Sequence, residues 1–107
     1  MIYDYKNISI EIWKDIAAEI KGDIEFYIYF KGKKFFGWAF TLDAIKAVML
    51  RYRKTGESCG GIYFLAAGYI ILDEITVENI CKSINNMIEA DGDDALDDYF
   101  PEVGNET

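Results

Sequence analysis

Carboxylates supply the most conspicuous chemistry in this chain. Residues 89–100, "EADGDDALDDYF", hold Glu89, Asp91, Asp93, Asp94, Asp97 and Asp98 with no Lys or Arg, then close on Tyr99 and Phe100 ahead of Pro101. Like charges this close repel, so their retention needs a reason. Calcium is the first candidate, because hard oxygen ligands suit it. An EF-hand loop starting at Asp91 would put Asp91, Asp93 and Glu102 at positions 1, 3 and 12. Positions 5 and 6 are then Ala95 and Leu96. A ligand and the turn-forming glycine are both missing, so no specific metal site is expected, and loose divalent binding is the alternative. Paired carboxylates also serve acid–base chemistry. These are expected on a surface rim with no apolar pocket to shift their pKa values.

Other reactive groups are few. The chain has no histidine, which removes the commonest general base near neutral pH and every Ser-His or Cys-His nucleophile pair. Cys59 lies in "TGESCGG", which lacks the lysine and the spacing of a phosphate loop. Cys81 falls among apolar residues at helical spacing and reads as core. Both are expected as free thiols, in keeping with a reducing cytoplasm. No catalytic residue, cofactor or metal is expected, and the chain is not read as an enzyme.

Composition bounds the frame that holds these groups. The chain has 107 residues, 51% of them apolar, and a net charge of −8. That is one domain's length, and too apolar for a disordered chain. The start shows neither a signal peptide nor an uncharged run long enough to span a membrane, so a cytoplasmic protein with no membrane association is expected. Charge is divided unevenly. Residues 1–56 hold ten Lys/Arg against seven Asp/Glu, net +3, and residues 57–107 hold one against twelve, net −11. Asymmetry on this scale points to a charged partner. The basic clusters "KGKK" (31–34) and "RYRK" (51–54) are read as a solvated turn and a helix end. With an overall pI near 4.4, nucleic acid is not expected as a partner.

Periodicity places the elements. Ile8, Ile12, Trp13, Ile16, Ala17 and Ile20 suggest a first helix, capped by Asn7 or Ser9 and ended by Gly22. The alternation of Ile24, Phe26, Ile28 and Phe30, then "KGKK", then "FFGWAF", predicts a hairpin over 24–40. Thr41 is placed to cap a second helix with an apolar face of Leu42, Ile45, Val48, Met49 and Tyr52, stopped at Gly56. "ESCGG" reads as a loop. "IYFLAAGYIILD" reads as a tight hairpin over 62–72 turning near Ala67 and Gly68, with one continuous buried strand as the alternative. Thr76 is placed to cap a third helix, buried through Val77, Ile80, Cys81, Ile84, Met87 and Ile88 and ended by Gly92. The order αββαββα implies one α+β domain over 1–107: an antiparallel sheet of about four strands with helices packed on it, and an acidic C-terminal segment over 91–107. Leu96 and Phe100 lie four apart, as do Ala95 and Tyr99. A helical turn docked through them would fix the carboxylates in space.

The C-terminal third, "YIILDEITVENICKSINNMIEADGDDALDDYF", resembles the immunity proteins of contact-dependent growth inhibition and related polymorphic toxin systems: a strand, a Thr-started helix with "VENI", then an acidic and aromatic end. The resemblance implies a small cytoplasmic α+β protein that binds and neutralises a cognate toxin domain, often a nuclease. The physics agrees independently. A nuclease presents a basic cleft, and ordered carboxylates can occupy the place of phosphates there and steer encounter. The expected partner-binding residues are Asp91, Asp93, Asp94, Asp97 and Asp98, with Tyr99 and Phe100 as aromatic anchors. A phage-type nucleic-acid mimic aimed at a restriction or CRISPR nuclease would use the same surface.

Overall fold

A computed structural model describes residues 1–13 and 22–104. It is an α+β fold built on one sheet. Strands β1 (Ile2–Tyr5), β2 (Ile8–Glu11), β3 (Asp23–Phe30) and β4 (Lys33–Phe40) are antiparallel neighbours in that order. Helix α1 (Leu42–Thr55) and the short α2 (Glu57–Gly61) follow, then β5 (Tyr69–Ile71), α3 (Val77–Asp91), α4 (Ala95–Tyr99) and β6 (Glu102–Val103).

The hairpin over 24–40 forms as its alternation predicts. Ile24, Phe26, Ile28 and Phe30 point into the core, joined by Phe35 and Ala39 from β4. Phe26 sits opposite Gly37. A Cβ at position 37 would stand 2.5 Å from the Phe26 ring, so glycine lets the ring lie across the neighbouring strand. Both threonine caps also form. Thr41 Oγ1 accepts the Ala44 amide at 3.2 Å, and Thr76 Oγ1 accepts the Asn79 amide at 3.0 Å. Gly56 and Gly92 stand at the C-caps of α1 and α3. Helix α3 buries Ile80, Cys81, Ile84 and Asn85, and closes the inner face of the sheet together with α4.

Several sequence expectations differ from the structure. The first helix does not begin at residue 8, because Ile8–Glu11 is a strand. Ile8 and Ile12 are four apart, a spacing that fits a helix and also two strand periods. Ile10 decides between them: Ile8, Ile10 and Ile12 are all buried, which is period two. Asn7 belongs to the β1–β2 turn and Ser9 to β2, so neither stands at a helix start at residue 8. The remainder of that expectation, residues 14–21, lies outside the described residues.

The hairpin over 62–72 is replaced by the single short strand β5, parallel to β4. A parallel neighbour needs a long crossover, which α1 and α2 provide. Only half of β4's free edge is left for β5, because β6 pairs with the other half, Lys34 with Val103 and Phe35 with Glu102. Between them, the Trp38 amide donates to the Gly68 carbonyl at 2.9 Å and the Phe36 amide to the Pro101 carbonyl at 2.9 Å. The edge is thus filled by two separate segments. Among the described residues the sheet has six strands, where the sequence predicts about four, and it is antiparallel except for the β4–β5 pair.

The third difference is the depth of the α1 face. Ile45, Val48, Met49 and Tyr52 are half-buried as the expected face requires, but no residue of α1 is fully buried and Leu42 is 69% exposed. The "ESCGG" loop forms α2, a tight turn with Ser58 and Cys59 at positive φ. Both cysteines are free, Cys59 exposed and Cys81 buried. Among the described residues no helix is long and apolar enough to cross a membrane.

Candidate functional site

The acidic segment is docked on the body of the protein. After Gly92 ends α3, the Ala95 amide donates to the Gly92 carbonyl at 3.1 Å and the Phe100 amide to the Leu96 carbonyl at 2.9 Å, closing the single turn of α4. Ala95, Leu96 and Phe100 are at most 3% exposed. This is the docking anticipated from the spacing of Leu96 and Phe100. Beyond α4, Pro101 and β6 join the edge of β4, so the turn is tethered at both ends.

The carboxylates then fall into two rows. Glu89, Asp93 and Asp97, spaced by four, meet lysines from the N-terminal half. Glu89 pairs with Lys6 at 3.5 Å, Asp93 with Lys31, and Asp97 with Lys33 at 3.1 Å. Lys6 and Lys31 occupy the β1–β2 and β3–β4 turns, both at positive φ, and Lys33 begins β4. Two hairpin ends thus present cations to one acidic stripe. The hydrogen bond from Asn85 Nδ2, and then Lys6, hold the Glu89 carboxyl below its usual pKa. The hydrogen bond to Asp97, with its charge, raises the Lys33 ammonium.

The second row faces outward. The Tyr99 hydroxyl donates to Asp91 Oδ2 at 2.8 Å, which raises the Tyr99 pKa. Asp94 and Asp98 are exposed, and their carboxylates form no hydrogen bond or ion pair with any described residue. The outward set is therefore Asp91, Asp94 and Asp98 with the half-exposed Tyr99 ring beside them. Phe100 does something else: at 3% exposure it is a core side chain that holds α4 down. Carboxylates in this arrangement can accept charge-assisted hydrogen bonds from Lys or Arg groups, the stronger kind. Among the described residues no group of three or more His, Cys, Asp or Glu side chains is placed to hold a metal ion.

Sequence reasoning missed the lysine partners. The signal was present as the four-residue spacing of 89, 93 and 97, but it has meaning only once two turns are known to lie beneath that stripe. Comparison of the chain with protein-family models, with curated proteins and with solved structures found no match.

Proposed function

We propose that this is a cytoplasmic immunity protein that binds and neutralises a cognate basic toxin domain, a nuclease, through the outward carboxylates of its C-terminal segment. The observation that carries the reading is the burial of Leu96 and Phe100. It turns an acidic tail into a rigid display, so binding does not have to order the segment first. Asp91, Asp94 and Asp98 take the place of substrate phosphates, and Tyr99 supplies the exposed aromatic contact. Asp93 and Asp97, engaged by Lys31 and Lys33, position that display. Residual charge from the segment speeds encounter with a basic surface.

The test is co-purification from the native host and identification of the bound protein, followed by a nuclease assay. A basic nuclease domain that stops cleaving at equimolar amounts of this chain is the expected result. A partner lacking a basic surface, or a nuclease that cleaves at full rate when saturated, refutes the reading.

A further inference from the structure

The side of the sheet opposite α3 and α4 carries a groove that the acidic surface does not explain. On that side β4 presents Phe36, Trp38 and Phe40, and α1 lies across the end of the row. A groove of about 340 Å³ separates helix from sheet, lined by Trp38, Phe40, Val48, Arg51, Tyr52 and Phe64 among others. That volume is in the range of small-molecule sites.

Helix α1 is anchored at two points by close backbone contacts. Near the N-terminal end of α1 the Thr41 amide donates to the Gly22 carbonyl at 2.9 Å, and a Cβ on Gly22 would stand 2.6 Å from the Ala44 Cβ. Further along, a Cβ on Gly61 would stand 2.2 Å from the Met49 carbonyl oxygen. Two glycines, both at positive φ, therefore bring the chain into close contact with α1 at separate points. Between them no side chain of α1 is buried. The ring walls are fixed as well. The Trp38 and Phe40 centroids are 4.9 Å apart, Phe64 meets Phe40 edge-on at 5.0 Å, and the Trp38 indole N–H donates to Asp23 Oδ2 at 3.0 Å.

Charge selects the ligand. Asp23, the one carboxylate lining the groove among the described residues, accepts the indole N–H and keeps its charge, so an anionic group has its favourable place at Arg51. Arg51 lines the groove, lies 6.0 Å from the Tyr52 ring centroid, and has no ion pair with a described residue. Around it α1 carries Lys46, Arg53 and Lys54 against the single acid Asp43. Aromatic walls favour a flat ring, and an unpaired guanidinium favours one anionic group on it. The geometry points to a binding site for a small planar aromatic anion in the groove under α1, with Arg51 as the residue that recognises its charge. This site is independent of the acidic surface and of the toxin-binding reading.

The experiment is a titration of the ¹⁵N-labelled full chain with 2-naphthoate and with its uncharged amide, 2-naphthamide, following the Trp38 indole N–H. The acid is expected to shift that resonance saturably and to bind roughly tenfold more tightly than the amide, the worth of one charge-assisted contact. Arg51→Gln, at an exposed position, should lower naphthoate affinity to that of the amide and leave the amide unchanged. Ala47→Trp, which fills the groove, should abolish both while amide dispersion shows an intact fold. Equal affinity for acid and amide, an unchanged naphthoate affinity in Arg51→Gln, or no shift at Trp38 overturns the proposal.

Discussion

Leu96→Ala tests whether the acidic segment is held rigidly. Leu96 is 0% exposed and belongs to the main core cluster. Truncation removes three carbons, which at about 0.8 kcal/mol per buried CH₂ is ~2.4 kcal/mol of lost transfer energy. The residual cavity brings the expected cost to about 3 kcal/mol, within the range for Leu→Ala in cores. The loss should appear locally, because α4 and β6 are the last elements laid on the sheet. The reporter is the Phe36 amide, which donates to the Pro101 carbonyl at 2.9 Å and is covered only while the segment lies on β4. Its hydrogen exchange should accelerate by roughly a hundredfold, the equivalent of that free energy, with a lower urea midpoint. Tyr99→Ala, at a half-exposed ring, should leave both readouts at their wild-type values. Unchanged Phe36 protection in Leu96→Ala would show that Leu96 does not hold the segment down, and the rigid display would lose its basis.

Three further outcomes are expected. Asp94→Asn with Asp98→Asn, and Asp93→Asn with Asp97→Asn, change net charge equally, so both should slow association with the basic partner and lose that effect at high salt, where exposed charges are screened beyond about 8 Å or less. Only the first pair should also speed dissociation; equal dissociation rates would assign no special role to the outward row. Stability should fall as pH drops below the usual glutamate value of 4.5, because Glu89 and Glu78 are held low by Asn85 and Lys82 in the folded state, and their contribution is present above that value and lost as pH falls through the folded one; a pH-independent urea midpoint between 6 and about 3 would contradict this. The raised Tyr99 and Lys33 act with the opposite sense, losing their contribution only as pH climbs past 10. Iodoacetamide should label Cys59 in the native protein and Cys81 only after unfolding, since burial both hides that thiol and raises its pKa; mass spectrometry of the labelled peptides checks it.

What could be read from the residues follows from how local each signal is. The 24–40 hairpin is written in an unbroken alternation flanking a glycine turn, and both threonine caps act within three residues of themselves, so neither needs the rest of the chain. Ile8–Ile12 is ambiguous because a spacing of four is common to both periods, and only Ile10, buried between them, marks the strand. The 62–72 run is ambiguous for another reason. It is apolar throughout, so it carries no alternation, and its pairing depends on a segment distant in sequence: β6, Glu102–Val103, takes half of the edge that a hairpin would have used. For the candidate site, the docking of Leu96 and Phe100 was legible as a four-residue spacing. The division of the carboxylates into paired and unpaired rows was not, since it depends on where Lys6, Lys31 and Lys33 lie in space.

That division also explains how six carboxylates within twelve residues can be kept. Taken as sequence, the halves carry +3 and −11, and their separation suggests two charged surfaces. Taken in space, three cations of the first half stand directly against three anions of the second, which relieves part of the repulsion where the segment docks. Exposed pairs of this kind contribute little stability each, so they do not account for the docking, which rests on Ala95, Leu96 and Phe100. Their effect is on direction. Each lysine draws one carboxylate of the 89, 93, 97 stripe toward the hairpin ends, and the carboxylates between them are left pointing at solvent. A fully paired segment would offer a partner no charge, and a fully unpaired one would carry more repulsion among its own carboxylates. Apolar anchors beneath, one neutralised row beside and one free row above make a surface that is stable alone and still short of cations.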